Sequence, residues 1–342
     1  MTTSCVTGAT GFIGGRLVRQ LLRRGDDVVC VVRASSNREP LLAMAANLPG
    51  SLRFAVGDVL DEDSLRAAVQ GVDEVYHLAA MLKAPWHADF LRTNAEGTGL
   101  VAKACASRET PPVLVAVSSI AAAGPSPEDR PRREDDPAQP VSRYGHSKRN
   151  GELAAEAYAA QVPTTLVRPP VVFGPHDTAS LPLFLGAARG VQLVPTLAES
   201  TMSMVYVDDL AWAIAAAGSK GERLTAVPSA APGVGVYFAA HDEQPTVAQV
   251  GRDIGAALGR DVRVVRVPSW LTLGVGAAGE ALARLRDQPS IVNHDKTIEA
   301  TAGSWTCSVA KARRDLGFAP PHSLRERLAQ TALWYQEQGW LR

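Results

Sequence analysis

At 342 residues and 46% apolar side chains, the chain is long enough to bury one large α/β core plus an elaboration. Its 35 basic and 35 acidic residues cancel, so no electrostatic case exists for nucleic acid or an anionic membrane as a partner. The 4 cysteines lack metal spacing, the 7 histidines are scattered, and no apolar run is long enough to span a bilayer. No metal site and no transmembrane segment are therefore expected, and the thiols suit a reducing cytoplasm. No signal peptide is expected either, because the apolar N-terminus reads as a strand followed by a charged helix.

The chain opens with a short apolar strand around Cys5 and Val6. It runs into Thr7-Gly8-Ala9-Thr10-Gly11-Phe12-Ile13-Gly14, and Arg16 to Leu22 continues with helical spacing. Strand, glycine turn and helix form the context in which a glycine motif points to a dinucleotide. Gly8 permits the tight turn, Gly11 lets a pyrophosphate approach the backbone, and Gly14 lets helix and strand pack closely. The free N–H groups and the positive dipole end at the helix start then suit a phosphate.

Further strands are predicted at 27–32, 52–56, 74–78, 113–117 and 164–167. Helices are predicted from Asp61 as cap to Val69, over 95–107, and over 144–161, with a Pro- and charge-rich loop at 124–141. Strands alternating with helices give a Rossmann-type, doubly wound parallel sheet. The expected division is a dinucleotide domain, 1–170 plus about 204–241, and a smaller C-terminal substrate domain, 171–203 plus 242–342. The segments near 204–207 and 236–239 are expected to return to the main sheet.

Ligands of such sheets bind at the carboxyl ends of the strands. After the second strand stand Arg33, Ser35, Asn37 and Arg38, with no acid before Glu39. An acid there would hold a ribose 2′-hydroxyl, whereas arginine accommodates a 2′-phosphate, so NADP(H) is predicted over NAD(H). Asp58, after the third strand, either accepts from the adenine amino group or simply forms a turn. Ser119 ends the fifth strand and offers a hydroxyl to a substrate oxygen, or caps the strand end. Tyr144 and Lys148 stand four apart at a helix start and share one face. A phenol with a reference pKa of about 10 needs such a neighbouring ammonium to work as an acid/base near neutrality.

These residues together resemble the extended short-chain dehydrogenase/reductase family. The matches are TGATGFIG, Gly57-Asp58-Val59, His77-Leu78-Ala79-Ala80, Asn94-Ala95-Glu96-Gly97-Thr98, Val117-Ser118-Ser119, YGHSK, Arg168 to Pro175, Val207-Asp208-Asp209-Leu210-Ala211 and Lys311 to Phe318. The resemblance implies Tyr144 as acid/base, Lys148 as its partner and as a ribose contact, and Ser119 as the third catalytic residue. It further implies that Val59, Leu78, Ala79, Ala80 and Val117 line the cofactor and that Pro169 and Val172 lie near its carboxamide. Asp208 and Asp209 are expected to cap a helix and fix the second domain. A homodimer through the helices at 95–107 and 144–161 is implied by the same analogy.

Many such relatives act on nucleotide sugars and clamp the sugar pyrophosphate with a basic residue just before V-x-D. Met202 occupies that position here, with Arg189, Arg284 and Arg286 as the available substitutes. The variable segments 81–86 and 181–185 carry Met81, Lys83, Trp86 and Phe184, and these, with Phe173 and Ser119, are the residues expected near a substrate. They are largely apolar. The stretch 270–285 is small and apolar nearly all round, and reads as a core helix or as a hydrophobic lid or dimer face. Glycines and Glu280 interrupt it, which leaves room for no more than weak membrane association. The expected activity is interconversion of a hydrophobic secondary alcohol and its ketone, of steroid, flavonoid or β-keto-acyl kind. The alternative is a nucleotide-sugar 4-epimerase or dehydratase that recycles its cofactor. A non-catalytic dinucleotide sensor would not need the Ser, Tyr and Lys set.

Overall fold

A computed structural model describes residues 2–82, 86–285 and 294–341. Strand β1 (Thr3–Thr7) leads through the glycine turn into α1 (Phe12–Arg24), and β2 (Asp27–Val32) follows. Then come α2 (Glu39–Ala45), β3 (Ser51–Val56), α3 (Glu62–Ala68) and β4 (Glu74–His77). The short α4 (His87–Phe90) runs into a π-helical stretch, Leu91–Glu96, and on into α5 (Gly97–Ala106). The alternation is completed by β5 (Val113–Val117), α6 (Ile120–Ala123), α7 (Arg143–Glu156) and β6 (Thr164–Arg168).

Local sequence accounts for these elements. Leu17, Val18, Leu21 and Leu22 form the buried stripe of α1. Gly25 ends the helix at φ 89°, donating its N–H to the carbonyls of Leu21 and Leu22. β2 is buried from Val28 to Val32, as a strand covered on both faces must be. Among the described residues the main sheet has the order β10-β6-β5-β4-β1-β2-β3 and every pairing in it is parallel. The order reverses between β1 and β4, which is where a doubly wound sheet opens its ligand crevice.

The remainder comprises β7 (Val171–Phe173), α8 (Leu181–Ala188), β8 (Val191–Val194), β9 (Met204–Tyr206), α9 (Val207–Lys220) and β10 (Val236–Phe238). It continues with α10 (Val247–Ala257), β11 (Arg263–Arg266), α11 (Ser269–Leu285), α12 (His294–Thr301), α13 (Ala310–Leu316) and α14 (Leu324–Glu337). β10 joins the main sheet beside β6, as expected. β9 does not. It pairs with β7 in a separate two-stranded sheet. Pro169-Pro170, without N–H groups, end β6 before β7 begins, and β10 takes the outer edge of β6.

The pair Asp208-Asp209 also differs in detail from expectation. Tyr206 precedes α9 without a side-chain cap, and both acids lie in the first turn, where the helix dipole favours them. Asp209 ties α9 to α14. It takes Arg327 of α14 at 2.7 and 3.1 Å, and that guanidinium lies 4.2 Å from the centre of the Tyr206 ring.

Candidate active site

The glycine turn is built as the motif requires. Gly8 has φ 72°, and a Cβ there would sit 2.7 Å from the Ala79 nitrogen. A Cβ on Gly14 would sit 2.0 Å from the Gly8 carbonyl oxygen. Gly11 is the N-cap of α1, with no side-chain cap and no acid in the first turn. The N–H groups that start this helix are thus left for a ligand. A cleft of about 470 Å³ lies in front of them, lined by Thr10, Gly11, Phe12, Arg16, Arg19 and Asn37 among others. A backbone cradle, open helix donors and flanking arginines fit the phosphates of a dinucleotide.

Arg33, Ser35 and Asn37 are exposed on the turn after β2, and Arg38 lies over the Phe54 ring at 5.5 Å. Asn37 accepts the Glu39 N–H at 3.1 Å, and Asp58 accepts that of Leu60 at 3.0 Å, so both serve their local turns. Val59 approaches Gly97. Leu78 and Ala79 are half-buried and Ala80 exposed at the end of β4. Pro169 is buried and its carbonyl accepts the Ile120 N–H at 2.8 Å, while Val172 packs on the main core.

Ser119 meets Tyr144 at the β5–α6 junction, and Lys148 follows Tyr144 on the same face of α7. Ser119 ends β5 and caps α6, accepting the Ala121 N–H at 3.1 Å. Its hydroxyl also favours the ionised form of Tyr144. Ser142 caps α7, accepting the Gly145 N–H at 2.9 Å, and so sets the helix on which Tyr144 and Lys148 share a face. Tyr144 is 8% exposed, amid Phe90, Ala121, Met81 and Trp305. Burial raises its phenol above the usual range, against the pull of Lys296 and Ser119. The Lys148 ammonium donates to the Val117 carbonyl at 2.8 Å. Burial brings its pKa down to about 8, with Glu152 opposing. One carbonyl uses one of three donors, which leaves the ammonium able to bind a phenol and a ribose hydroxyl.

Four supporting residues carry no role that the sequence alone assigns. Glu152 stands eight after Tyr144 and four after Lys148, on the same face, so its position was legible. Its partner Arg168, at the end of β6, was not; the two join through two 2.7 Å contacts. Asn94, in the π-helical stretch, accepts the Met81 N–H at 2.7 Å and donates to the Met81 carbonyl and to Ser147 at 3.0 and 2.9 Å. It thus locks the strand-end loop to α7. His77 bridges Thr7 at 2.8 Å and Thr98 at 3.0 Å. Thr98 donates its own proton to the Asn94 carbonyl, so the imidazole carries hydrogen on Nε2 and accepts on Nδ1.

Burial, then the Lys148 charge, bring the His77 pKa from 6.5 to about 3. Between those values the unfolded chain binds a proton that the folded chain refuses, so stability falls as pH falls through that window. The loss is expected to be on the order of 5 kcal/mol near its acid end. Urea titrations stepped through this range should show a flatter acid limb for His77→Gln; parallel limbs would dismiss the linkage.

The substrate candidates divide. Met81 lies beside Tyr144. Trp86 is 54% exposed at the start of α4. Lys83 lies outside the described residues. Phe173 and Phe184 are both 0% exposed and pack with Tyr206 and Tyr335 in the core of the smaller lobe. That places them out of a substrate's reach. Apolar side chains near a predicted pocket read alike whether they line it or support it. Met202 packs among apolar residues, its N–H held by the Pro245 carbonyl at 2.9 Å.

A larger cleft of about 720 Å³ contains none of the three catalytic candidates. Its cations are paired, with Arg130 on Asp136, Lys311 on Glu222 and Arg313 on Asp242. Among the described residues no group of His, Cys, Asp and Glu could hold a metal, and no helix is long and apolar enough to cross a membrane.

Comparison with known proteins agrees with this geometry. The model of the NAD dependent epimerase/dehydratase family matches residues 4–227. A ceramide reductase of Caulobacter vibrioides is 30% identical over 98% of this chain and 95% of its own length. Sterol demethylase protein B of Methylococcus capsulatus is 26% identical over 99% of this chain and 100% of its own. A dTDP-glucose 4,6-dehydratase of Bacillus anthracis, solved with NAD, shares the fold at TM-score 0.75 and 19% identity, covering 100% of this chain and 98% of that one. With its glycine cradle and its Ser, Tyr and Lys set, the chain belongs to the NAD-dependent epimerase/dehydratase family, within the extended short-chain dehydrogenases/reductases, and is an NAD(P)-dependent oxidoreductase.

Proposed function

We propose that the protein interconverts a hydrophobic secondary alcohol and its ketone with NADP(H). The observation that carries this reading is the setting of Tyr144, whose neighbours Phe90, Ala121, Met81 and Trp305 are apolar. Apolar packing around Met202, where a pyrophosphate clamp would need a cation, argues the same way. A relative named as a ceramide reductase supports an apolar substrate. In reduction, Ser119 and Tyr144 hold the carbonyl oxygen, and Tyr144 gives it a proton. Lys148 offsets the cost of the resulting phenolate. The nicotinamide, when bound, supplies or accepts the hydride.

The preference for NADP(H) rests on the absence of an acid after β2 and on Arg33, Ser35, Asn37 and Arg38, with Arg19 in the adjoining cleft. Arg33→Ala is expected to weaken NADPH binding by roughly tenfold or more and NADH binding little, since a charge-assisted contact contributes about 1.5–3 kcal/mol. Equal losses, read by fluorescence titration, would reject the phosphate contact. We further infer a homodimer through α5 and α7, where Leu153 is 46% exposed, and a cytoplasmic setting suited to four free buried thiols.

NADPH consumption over a panel of steroid, flavonoid, β-keto-acyl and aromatic ketones tests the reading, with nucleotide sugars assayed for product in parallel. Oxidation with an apolar ketone supports it. The second reading, a nucleotide-sugar epimerase or dehydratase, draws on solved relatives of those activities that share the fold. Sugar conversion without net NADPH oxidation would replace the first reading by that one.

A further inference from the structure

We propose that α12 is a positioning element for Tyr144, with Asp295 holding the tyrosine backbone and Lys296 placing a second cation against its ring. The inference rests on Tyr144 being the acid/base residue. Helix α12 lies across the start of α7, about 150 residues away in sequence. The two carboxylate oxygens of Asp295, itself 8% exposed, accept the N–H groups of Arg143 at 2.6 Å and of Tyr144 at 3.0 Å. Glu299 accepts the Ser142 hydroxyl at 2.6 Å. Lys296 reaches Glu299 at 2.7 Å, and its ammonium lies 5.1 Å from the centre of the Tyr144 ring. Glu280 of α11 takes the Arg143 guanidinium at 2.7 Å, and Trp305 donates to the Glu299 carbonyl at 2.8 Å.

Capping of α7 does not by itself explain this arrangement. Ser142 already caps the helix. Asp295, Lys296 and Glu299 occupy little more than one turn of α12, and all three converge on Tyr144 or the residue two before it. A cation at the ring favours phenolate. Ser119 at the β5–α6 junction and Lys296 and Glu299 of α12 act on the Tyr144 phenol, Asp295 of α12 holds its backbone, Lys148 follows four residues on along α7, and Phe90, Ala121, Met81 and Trp305 pack around the ring. Lys296 outweighs Glu299 in its effect on the phenol. Neutralising Lys296 therefore removes an attraction and leaves the Glu299 repulsion uncovered. Glu299, Tyr144 and Asp295 in turn hold the half-exposed Lys296 ammonium above its usual range, against the cost of its partial desolvation.

The test needs no substrate. Phenolate absorbance of the full protein, with saturating NADP⁺ bound, is titrated with base; subtracting the Tyr144→Phe curve isolates Tyr144. Lys296→Met and Lys296→Gln alter a side chain that is 47% exposed and are expected to move this titration upward by about one pH unit. Lys296→Arg is expected to restore it. Superimposable wild-type and Lys296→Met curves, or an unrestored shift in Lys296→Arg, would overturn the proposal. Full turnover in Tyr144→Phe would instead overturn the acid/base reading, which the titration does not use.

Discussion

Tyr144→Phe is expected to lower kcat by roughly 10²- to 10⁴-fold, the range that general acid/base catalysis supplies, and to leave dinucleotide affinity nearly unchanged. The substitution removes one hydroxyl and keeps the ring that packs against Phe90 at a centroid distance of 6.2 Å. The cofactor's phosphates are assigned to the glycine turn, and Lys148 keeps its contact with the Val117 carbonyl, so binding has no reason to fail. Paired measurements of turnover and of NADPH fluorescence decide the matter; retained turnover would remove Tyr144 from the mechanism. In the wild-type enzyme, kcat/KM for reduction is expected to decline above about pH 8, where Lys148 loses its proton.

The second large effect is expected at Arg168. Its guanidinium and the Glu152 carboxylate are 5% and 1% exposed in their side chains. Burial pushes the Glu152 carboxyl up, and Arg168, together with Ser118 and Arg149, holds it below the usual range. Arg168→Met takes from a buried carboxylate its two-contact partner, leaving Arg149, Ser118 and the Lys148 charge nearby, and a destabilisation of about 3–5 kcal/mol is expected in urea unfolding. Adding Glu152→Gln should recover much of the loss, because the cost is that of an unpaired charge. A lone Arg168→Met variant as stable as wild type would show that water or Arg149 already compensates Glu152.

What was legible in the sequence was local. Gly8, Gly11 and Gly14 declare their turn within seven residues, and Tyr144 and Lys148 declare a shared helix face within five. The strands of the main sheet follow from apolar runs bounded by turns. Contacts across long separations were not legible. Nothing near Asp295 or Lys296 announces that they meet the start of α7, and Arg168 gives no sign of facing Glu152 until β6 is laid beside β5. The pairing of β9 with β7 was not legible either, because a short apolar run does not declare which strand it will lie beside. Phe184 in a variable segment and Phe173 in the Arg168–Pro175 motif are expected at the substrate, yet an aromatic residue suits a pocket wall and a core equally well.

The threading of the chain has an evolutionary consequence. It leaves the main sheet after β6, forms β7, β8 and β9, returns to the sheet edge as β10, and leaves again for β11. The lobe that carries α8, α10 and α14 is therefore not a contiguous cassette. No single crossover in a gene could exchange it for another lobe while preserving β10 and the Asp209–Arg327 tie. New substrate preferences on this scaffold must then accumulate by point substitution and by exchange of loops at the strand ends, with the nucleotide-binding framework inherited unbroken.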